Sequence, residues 1–212
     1  MKYILRFVVT IALSLLLTAE VQASSFQEGL AAAKRGDYAV ALRIWRPLAV
    51  EGDQASQFNL GLMYAKGYGV KQDLSEAANW YRRAAEQGDA LSQNNLGALY
   101  TEGRGVPQDD AEAVNWFRKS AEQGHTAAQV NLGNAYAEGR GLQRDYVKAL
   151  SWFRKAAEAG NTVAQLHVAA AYYLGRGVPK DDARAAHWYG QAANAGETLA
   201  MMKLSMLYAK GE

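Results

Sequence analysis

Apolar residues follow two helical patterns along this chain, and the two patterns alternate. The first pattern is clearest over residues 90–102, where the apolar side chains fall largely on one helical face. These side chains belong to Leu91, Leu96, Leu99 and Tyr100. Asp89 stands at the position of an N-terminal cap, and Gly103 stands where a left-handed residue ends a helix. The pattern therefore predicts a helix over this stretch.

The second pattern follows a short loop and predicts a second helix. Asp109 can cap this helix, and Glu112 three residues later completes the sequence signature of a capping box. Apolar residues then recur at helical spacing until Gly124. These residues are Ala113, Trp116, Phe117 and Ala121. Asp73 and Glu76 form the same signature in the preceding block.

The pair of helices recurs with a period of 36 residues. The residues that stay in phase are Trp80, Trp116, Trp152 and Trp188, then Asp37, Asp73, Asp109, Asp145 and Asp181, and finally Gly52, Gly88, Gly124, Gly160 and Gly196. Such a period is typical of a solenoid, because one unit cannot bury its apolar face alone. The sequence predicts an all-α fold, a right-handed αα-superhelix of about eleven stacked helices. The strict Trp period favours a core position over a stacking platform for sugars or bases.

Two features inside the predicted helices constrain their packing. Gly61, Gly97 and Gly133 lie within first helices, where Gly costs about 1 kcal/mol relative to Ala. The later blocks have Ala169 and Ser205 at this position. Small residues in register predict a close contact between paired helices that a larger side chain would open. Pro47 lies within the second helix of the first block, where we expect it to kink or break the helix.

The first 23 residues follow a different pattern. A positively charged start precedes an apolar stretch over residues 7–19, and Val21 and Ala23 are small residues at the two positions that a signal peptidase reads. Residues 1–23 therefore predict a signal peptide cleaved near Ala23, a periplasmic or secreted protein, and contact with the membrane only during export. An uncleaved membrane anchor is the alternative, although the apolar stretch is shorter than the roughly 20 residues that span a bilayer.

Composition argues against several functions. The chain has 23 Lys and Arg residues against 21 Asp and Glu, a balance that argues against nucleic acid as a partner. It has no Cys, which excludes disulfides and thiolate metal sites. The three histidines lack the spacing of a metal site, and no Ser lies in a Gly-x-Ser-x-Gly or Ser-x-x-Lys motif. We therefore predict no catalytic residue, no metal site and no cofactor.

A longer motif relates the chain to a known family. It consists of Ala127-Ala128-Gln129-Val130-Asn131-Leu132-Gly133-Asn134-Ala135-Tyr136, Gly139-Arg140-Gly141-Leu142, Asp145, Ala149, Trp152-Phe153 and Ala156-Ala157-Glu158-Ala159-Gly160. This motif resembles the Sel1-like repeat, a relative of the tetratricopeptide repeat with a longer loop. The resemblance implies the following division of the chain. Residues 24–53 form a tetratricopeptide-like capping pair, residues 54–89, 90–125, 126–161 and 162–197 form four repeats, and residues 198–212 form a C-terminal half-repeat helix.

The resemblance also implies a binding surface. In tetratricopeptide-like folds the first helices line a concave face, and residues four apart along these helices share one side. The side chains at these positions vary between repeats while their neighbours stay constant, as expected of a tailored binding surface. An ordinary solvated helix face is the alternative. The predicted partner-binding residues are Phe58, Leu62, Asn94, Val130, Asn134, Leu166, Tyr173, Leu174, Met202 and Met206.

Two further surfaces stand out. The predicted terminal helix, residues 198–210, is apolar around most of its circumference, although the end helix of a solenoid normally needs a polar outer face. We expect it to contact a partner or a second copy of the chain. Arg104, Arg140 and Arg176 occupy equivalent loops and could meet carboxylates of a ligand. The acidic neighbours that would instead form local ion pairs are Asp109, Asp110, Asp181 and Asp182.

Together these features predict a non-enzymatic, exported scaffold that binds a protein or an extended peptide. The resemblance implies an adaptor or regulator in a cell-envelope process, with a partner that the sequence does not identify. The alternative is a cell-wall glycan-binding or enzyme-associated module. β-Lactam binding or hydrolysis is linked to cysteine-rich relatives, and we disfavour it because the chain has neither their cysteines nor a nucleophile motif.

Overall fold

The computed structural model describes residues 22–209, and every regular element among them is an α-helix. Helix α1 covers residues 22–34. The others are α2 (Tyr38–Val50), α3 (Gln54–Lys66), α4 (Leu74–Glu86), α5 (Ala90–Glu102), α6 (Asp110–Glu122), α7 (Thr126–Glu138), α8 (Tyr146–Glu158), α9 (Thr162–Leu174), α10 (Asp182–Asn194) and α11 (Thr198–Ala209). The predicted signal peptide lies outside the described residues except for its last two positions, and so does Lys210 at the end of the predicted terminal helix.

The helices form two compact units. The N-terminal unit runs to Gln87 and contains α1 to α4, and the C-terminal unit starts at Gly88 and contains α5 to α11. In the N-terminal unit α2 packs on α3, and α3 packs on α4. In the C-terminal unit each helix packs on the next one along the chain. This arrangement confirms the predicted fold class, an all-α stack of helix pairs.

The helix ends follow the predicted cap residues. A carboxylate oxygen of Asp89 accepts a hydrogen bond from the amide of Ser92 at 2.6 Å, and α5 begins there. Gly103 follows the last residue of α5 with φ +64°, a left-handed conformation that a residue without a Cβ adopts at little cost. The glycines that end the other first helices in the same conformation are Gly67, Gly139 and Gly175. The predicted bounds of α5 are therefore confirmed.

The predicted capping boxes are only half formed. Asp109 accepts a hydrogen bond from the amide of Glu112 at 3.0 Å, as predicted. Its own amide, however, donates to the carbonyl oxygen of Tyr100 on α5 at 3.0 Å, and the amide of Asp73 donates to Tyr64 on α3 at the same distance. The reciprocal bond from Glu112 was therefore a wrong prediction. A carbonyl in the last turn of the first helix lacks an intrahelical partner, and it ties the two helices together instead.

The glycines inside the first helices face aromatic rings of the second helices. A Cβ on Gly133 would lie 2.5 Å from the ring of Phe153, and a Cβ on Gly97 would lie 2.7 Å from the ring of Phe117. These distances are well below van der Waals contact. The predicted close contact is confirmed, and it is made by a ring resting on the backbone of the first helix.

The four tryptophans that recur every 36 residues contact the core, but they are not equally buried. Trp116 is 8% exposed, which confirms its predicted core position. The half-buried members, which pack against the core clusters, are Trp80, Trp152 and Trp188. The ammonium group of Lys155 lies 4.1 Å from the ring centroid of Trp152, a cation–π contact that covers part of the remaining ring surface.

Pro47 does not end the second helix of the first pair. Helix α2 continues through it to Val50, so the predicted break was wrong. Only three helical residues follow Pro47, and the amide of Glu51 still reaches the Pro47 carbonyl at 3.0 Å. Leu48 and Ala49 are buried, and their packing keeps the last turn helical.

Candidate functional site

The predicted binding residues of the N-terminal unit are Phe58 and Leu62 on α3. Both side chains are half-buried. The ring centroid of Phe58 lies 6.1 Å from that of Tyr81 on α4, so part of the Phe58 ring packs on the second helix of its own repeat. Because Phe58 and Leu62 are four residues apart, the exposed parts of the two side chains share one side of α3.

In the C-terminal unit the predicted binding residues lie on α5, α7, α9 and α11. The side-chain amide of Asn131 donates a 3.0 Å hydrogen bond to the Asn94 side-chain oxygen, so α5 and α7 lie side by side. Val130 is only 8% exposed and belongs to the hydrophobic core, so its side chain offers almost no surface to a partner. Leu166 and Tyr173 are half-buried against the same core.

A first cleft of about 130 Å³ lies between α5, α6 and α7. We call it the α5–α7 cleft. It is lined by Ala98, Thr101, Glu102, Asp110, Ala113, Val114, Phe117, Asn131, Asn134, Ala135 and Arg140. Asn134, one of the predicted binding residues, belongs to this lining. Carboxylate, amide and guanidinium groups therefore surround a floor made of small apolar side chains and the Phe117 ring.

A second cleft of about 90 Å³ lies one repeat further on, between α7, α8 and α9. We call it the α7–α9 cleft. It is lined by Ala137, Tyr146, Ala149, Leu150, Phe153, His167, Ala170, Ala171, Leu174 and Arg176. Leu174 is a predicted binding residue. The cleft is the 36-residue equivalent of the first one, but Tyr146 replaces Asp110 and Ala170 replaces Asn134. The same frame thus carries a much more apolar surface.

The loop after α9 places Arg176 at this cleft. Gly175 ends α9 with φ +66°, and the amide of Arg176 then donates to the Ala171 carbonyl at 2.9 Å. The backbone of Gly177 packs so closely on the Tyr146 carbonyl that a Cβ would not fit there. The Arg176 guanidinium carbon lies 5.7 Å from the centroid of the Tyr146 ring. Two tight backbone positions therefore hold this arginine beside the N-terminus of α8.

The arginine loops form ion pairs, but not with the aspartates named from the sequence. Arg104 pairs with Glu102 at 2.9 Å, and Arg140 pairs with Glu138 at 2.6 Å. Two of those aspartates pair with other side chains, Asp181 with Arg184 and Asp182 with Lys180. The expected partners were wrong because the loop folds each arginine back onto the glutamate at the end of the first helix. Across residues 22–209, Arg176 has no ion pair, since Leu174 occupies the position of that glutamate.

In the sequence pattern, Arg176 is one of three arginines in equivalent loops. The signal that sets it apart is visible in the alignment of repeats, because Glu102 and Glu138 give way to Leu174. Its meaning is not visible there, because the sequence does not show that the glutamate is the partner of the arginine.

His167 forms one wall of the α7–α9 cleft. Its ring stacks on Phe153, with centroids 4.3 Å apart and an interplanar angle of 9°. Burial lowers the pKa of His167 below 6.5, and the nearby Glu138 carboxylate partly opposes this shift. The imidazole is therefore neutral at pH 7 and can donate one hydrogen bond and accept another.

The last predicted binding residues lie near α11. Tyr173 and Met206 line a cleft of about 20 Å³ together with Tyr189, Lys203 and Leu207. Met202 and Met206 are 51% and 50% exposed, although both are large apolar residues. The other exposed apolar side chains of α11 are Leu199, Met201 and Tyr208. This helix thus leaves much apolar surface uncovered within its unit.

The described residues form neither a metal site nor a membrane-spanning helix. Between residues 22 and 209, no three His, Asp or Glu side chains come close enough to hold a metal ion. None of the helices there is both long and apolar enough to span a bilayer. The clefts present an apolar surface that is bordered by a few fixed polar groups. Such an arrangement suits the recognition of side chains.

A stack of helix pairs with a shared 36-residue period defines an α-solenoid repeat protein. The family model of the Sel1 repeat matches residues 54–89, 90–125, 126–161 and 162–197. The chain belongs to the Sel1 repeat family, as its resemblance to that repeat predicted. Sel1 repeats generally form non-catalytic scaffolds, and they typically mediate protein–protein interactions. No significant match was found among functionally curated sequences.

Solved structures with the same architecture include two above 30% identity. A Sel1 repeat protein from Oxalobacter formigenes is 37% identical with a TM-score of 0.83, and the match covers 88% of this chain and 74% of that one. The protein c5321, a protective antigen in uropathogenic Escherichia coli with an SLR fold, is 33% identical with a TM-score of 0.65. That match covers 93% of this chain and 51% of c5321, so this chain spans about half of its length. Cysteine-rich protein B from Helicobacter pylori shares the fold at 24% identity and a TM-score of 0.51, over 64% of this chain and 97% of that one.

Proposed function

We propose that this protein is an exported, periplasmic scaffold that binds a protein or an extended peptide and does not itself catalyse a reaction. In this role it acts as an adaptor or regulator in a cell-envelope process. The observation that carries the proposal is the pair of equivalent clefts, α5–α7 and α7–α9, which have one frame and two different linings.

The clefts support side-chain recognition by an extended partner. Each lies between two neighbouring first helices and the second helix that joins them, so successive repeats offer successive places for a side chain. The frame is rigid because a buried ring rests on Gly97 and another on Gly133, and the polar groups differ from one cleft to the next. Partner choice in such an arrangement comes from a few fixed groups set in an apolar surface.

Site-specific photocrosslinking tests this proposal. A photoreactive phenylalanine analogue replaces Ala170 in the α7–α9 cleft or Asn134 in the α5–α7 cleft, and the protein is expressed in the bacterium that carries its gene. Ser151 is the matched control, because it is exposed on α8 and does not line either cleft. We expect discrete crosslinked species from the two cleft positions and none from Ser151. The same species from all three positions, or none from the clefts, would reject the clefts as the binding surface.

Export is supported by the residue pattern of positions 1–23. Alkaline phosphatase fused after Ala23 should be active in a bacterial host, because this enzyme gains its disulfides only outside the cytoplasm. Sequencing of the mature protein should start at Ser24. An inactive fusion would refute export, and an active fusion with an intact N-terminus would favour the uncleaved anchor.

A further inference from the structure

Arg176 differs from the arginines in the equivalent loops by the loss of its acidic partner. Arg104 and Arg140 each pair with a glutamate two residues earlier, and the corresponding residue before Arg176 is Leu174. Among residues 22–209, no carboxylate pairs with Arg176, and its guanidinium group lies beside the ring of Tyr146. An arginine that two other repeats neutralise is therefore left open for an external anion.

A second guanidinium group lies close to the same ring. Arg144 also has its guanidinium carbon 5.7 Å from the Tyr146 centroid, and it forms no ion pair with any described residue. The carboxylates nearest in sequence are already paired with other cations. These pairs are Glu138 with Arg140, Asp145 with Lys148, Asp181 with Arg184 and Asp182 with Lys180. Positive charge at this edge of the cleft is thus not cancelled locally.

The residue that removes the acidic partner also provides apolar surface. Leu174 is 52% exposed and lines the α7–α9 cleft, next to Ala170 and the neutral ring of His167. The cleft volume of about 90 Å³ suits one aliphatic side chain. The leucine at this position therefore has two effects. It leaves the guanidinium group without an internal carboxylate, and it adds an apolar side chain to the lining of the adjacent cleft.

We propose that the α7–α9 cleft binds an extended peptide by taking up one aliphatic side chain and pairing a neighbouring aspartate or glutamate with Arg176. The inference rests on the proposed function and names the chemistry of its partner. A carboxylate fits because the planar guanidinium group of arginine offers two parallel N–H donors to its two oxygens. Arg144 adds long-range attraction for the same charge.

The ligand sequence can be found by selection and then checked with synthetic peptides. Random nonapeptides displayed on phage are selected on the purified protein. The enriched sequences are made with an acetylated N-terminus and an amidated C-terminus, so that only side chains carry negative charge. We expect an aliphatic residue within two positions of Asp or Glu. Replacing that acid by Asn or Gln should weaken binding about tenfold or more in fluorescence anisotropy, because a hydrogen-bonded charge pair is lost.

Restoring the glutamate of the other repeats is the sharpest variant. Leu174→Glu should close an internal ion pair with Arg176 and weaken the acidic peptide about tenfold or more. Leu174→Gln, which leaves the guanidinium group free, should weaken it less. Arg154→Gln is the matched control, because Arg154 is exposed on α8 and lines neither cleft, and it should leave affinity unchanged. Far-UV circular dichroism checks that each variant is folded.

Three results would overturn the inference. In the first, selected peptides bind without a shared acid, or Leu174→Glu binds them as tightly as the wild type; peptide binding then stands, but at another surface. In the second, the peptides need a free C-terminal carboxylate instead of an acidic side chain. In the third, no peptide is enriched; the photocrosslinking from Asn134 and Ala170 then decides separately whether the scaffold function stands.

Discussion

The substitution Gly133→Ala tests how tightly the paired helices are locked. The added Cβ would lie 2.5 Å, 2.7 Å and 3.0 Å from three ring atoms of Phe153. To restore van der Waals contact, the ring must shift by about 1 Å. That shift is opposed, because Phe153 is buried and also stacks on His167 at 4.3 Å.

Two opposing effects set the size of the change. Ala is favoured over Gly inside a helix by about 1 kcal/mol, whereas overpacking a core costs about 1–3 kcal/mol. The free energy of unfolding of Gly133→Ala should therefore fall by up to about 2 kcal/mol. Gly190 in α10 is the matched control, because no atom lies within 4 Å of the position of an added Cβ. Gly190→Ala should raise the free energy of unfolding by about 1 kcal/mol.

Thermal unfolding followed by far-UV circular dichroism measures the difference. A gap of about 2 kcal/mol between the two variants corresponds to roughly 4–8 °C in Tm for a chain of this size. Phe153→Leu should relieve most of the penalty at position 133 in a double-mutant cycle, since the ring is then absent. If both Gly→Ala variants are stabilised equally, the ring contact does not constrain the pair and the reasoning fails.

Three further predictions concern titration, the core and the terminal helix. Burial lowers the pKa of His167, so below pH 6.5 the unfolded chain binds more protons and urea denaturation should show lower stability at pH 5.5 than at 7.5. His167→Asn should reduce this loss, and an unchanged loss would contradict it. Trp116→Ala should lower the free energy of unfolding by about 3–5 kcal/mol, and a Tm close to that of the wild type would count against a core role. If α11 mediates self-association, the wild type should sediment as an oligomer and Met202→Glu with Met206→Glu as a monomer; a wild-type monomer excludes this.

Much of the architecture could be predicted because it follows from local rules. Asp89 and Gly103 mark the ends of α5 by side-chain capping and by backbone freedom, and both effects act within a few residues. Because the cap residues recur every 36 residues, the same helix ends are predicted in several repeats. The in-register glycines indicate a close contact, and the structure shows which ring makes it.

The errors fall where a distant residue competes with a local partner. The amide of Asp109 had Glu112 nearby in sequence, yet it bonds to Tyr100 on the preceding helix. Pro47 follows a local rule that predicts a break, but the tertiary packing of Leu48 and Ala49 keeps the last turn helical. Val130 shares a helical position with Phe58 and Leu166, and only the packing of its neighbours buries it.

The candidate site was predicted as a face but not as a set of clefts. The sequence placed Asn134 and Leu174 on first helices, and their role as binding residues stays a prediction. It did not indicate that residues of the joining second helix, such as Tyr146, complete each cleft, because helical periodicity says nothing about which neighbour faces which. The packing of helices against one another decides which residues line the same cleft.

The sequence by itself therefore determined the number and phase of the repeats, the helix ends and the class of fold, because these depend on periodicity and on contacts within one or two turns. The tertiary structure decided which carboxylates pair with the loop arginines, which rings pack on the glycines of the first helices and where the clefts lie. Arg104 and Arg176 occupy equivalent loops, but the sequence has Glu102 before the first and Leu174 before the second. Only the tertiary structure shows that this difference matters, because the loop brings Arg104 back to Glu102 at the end of its own helix.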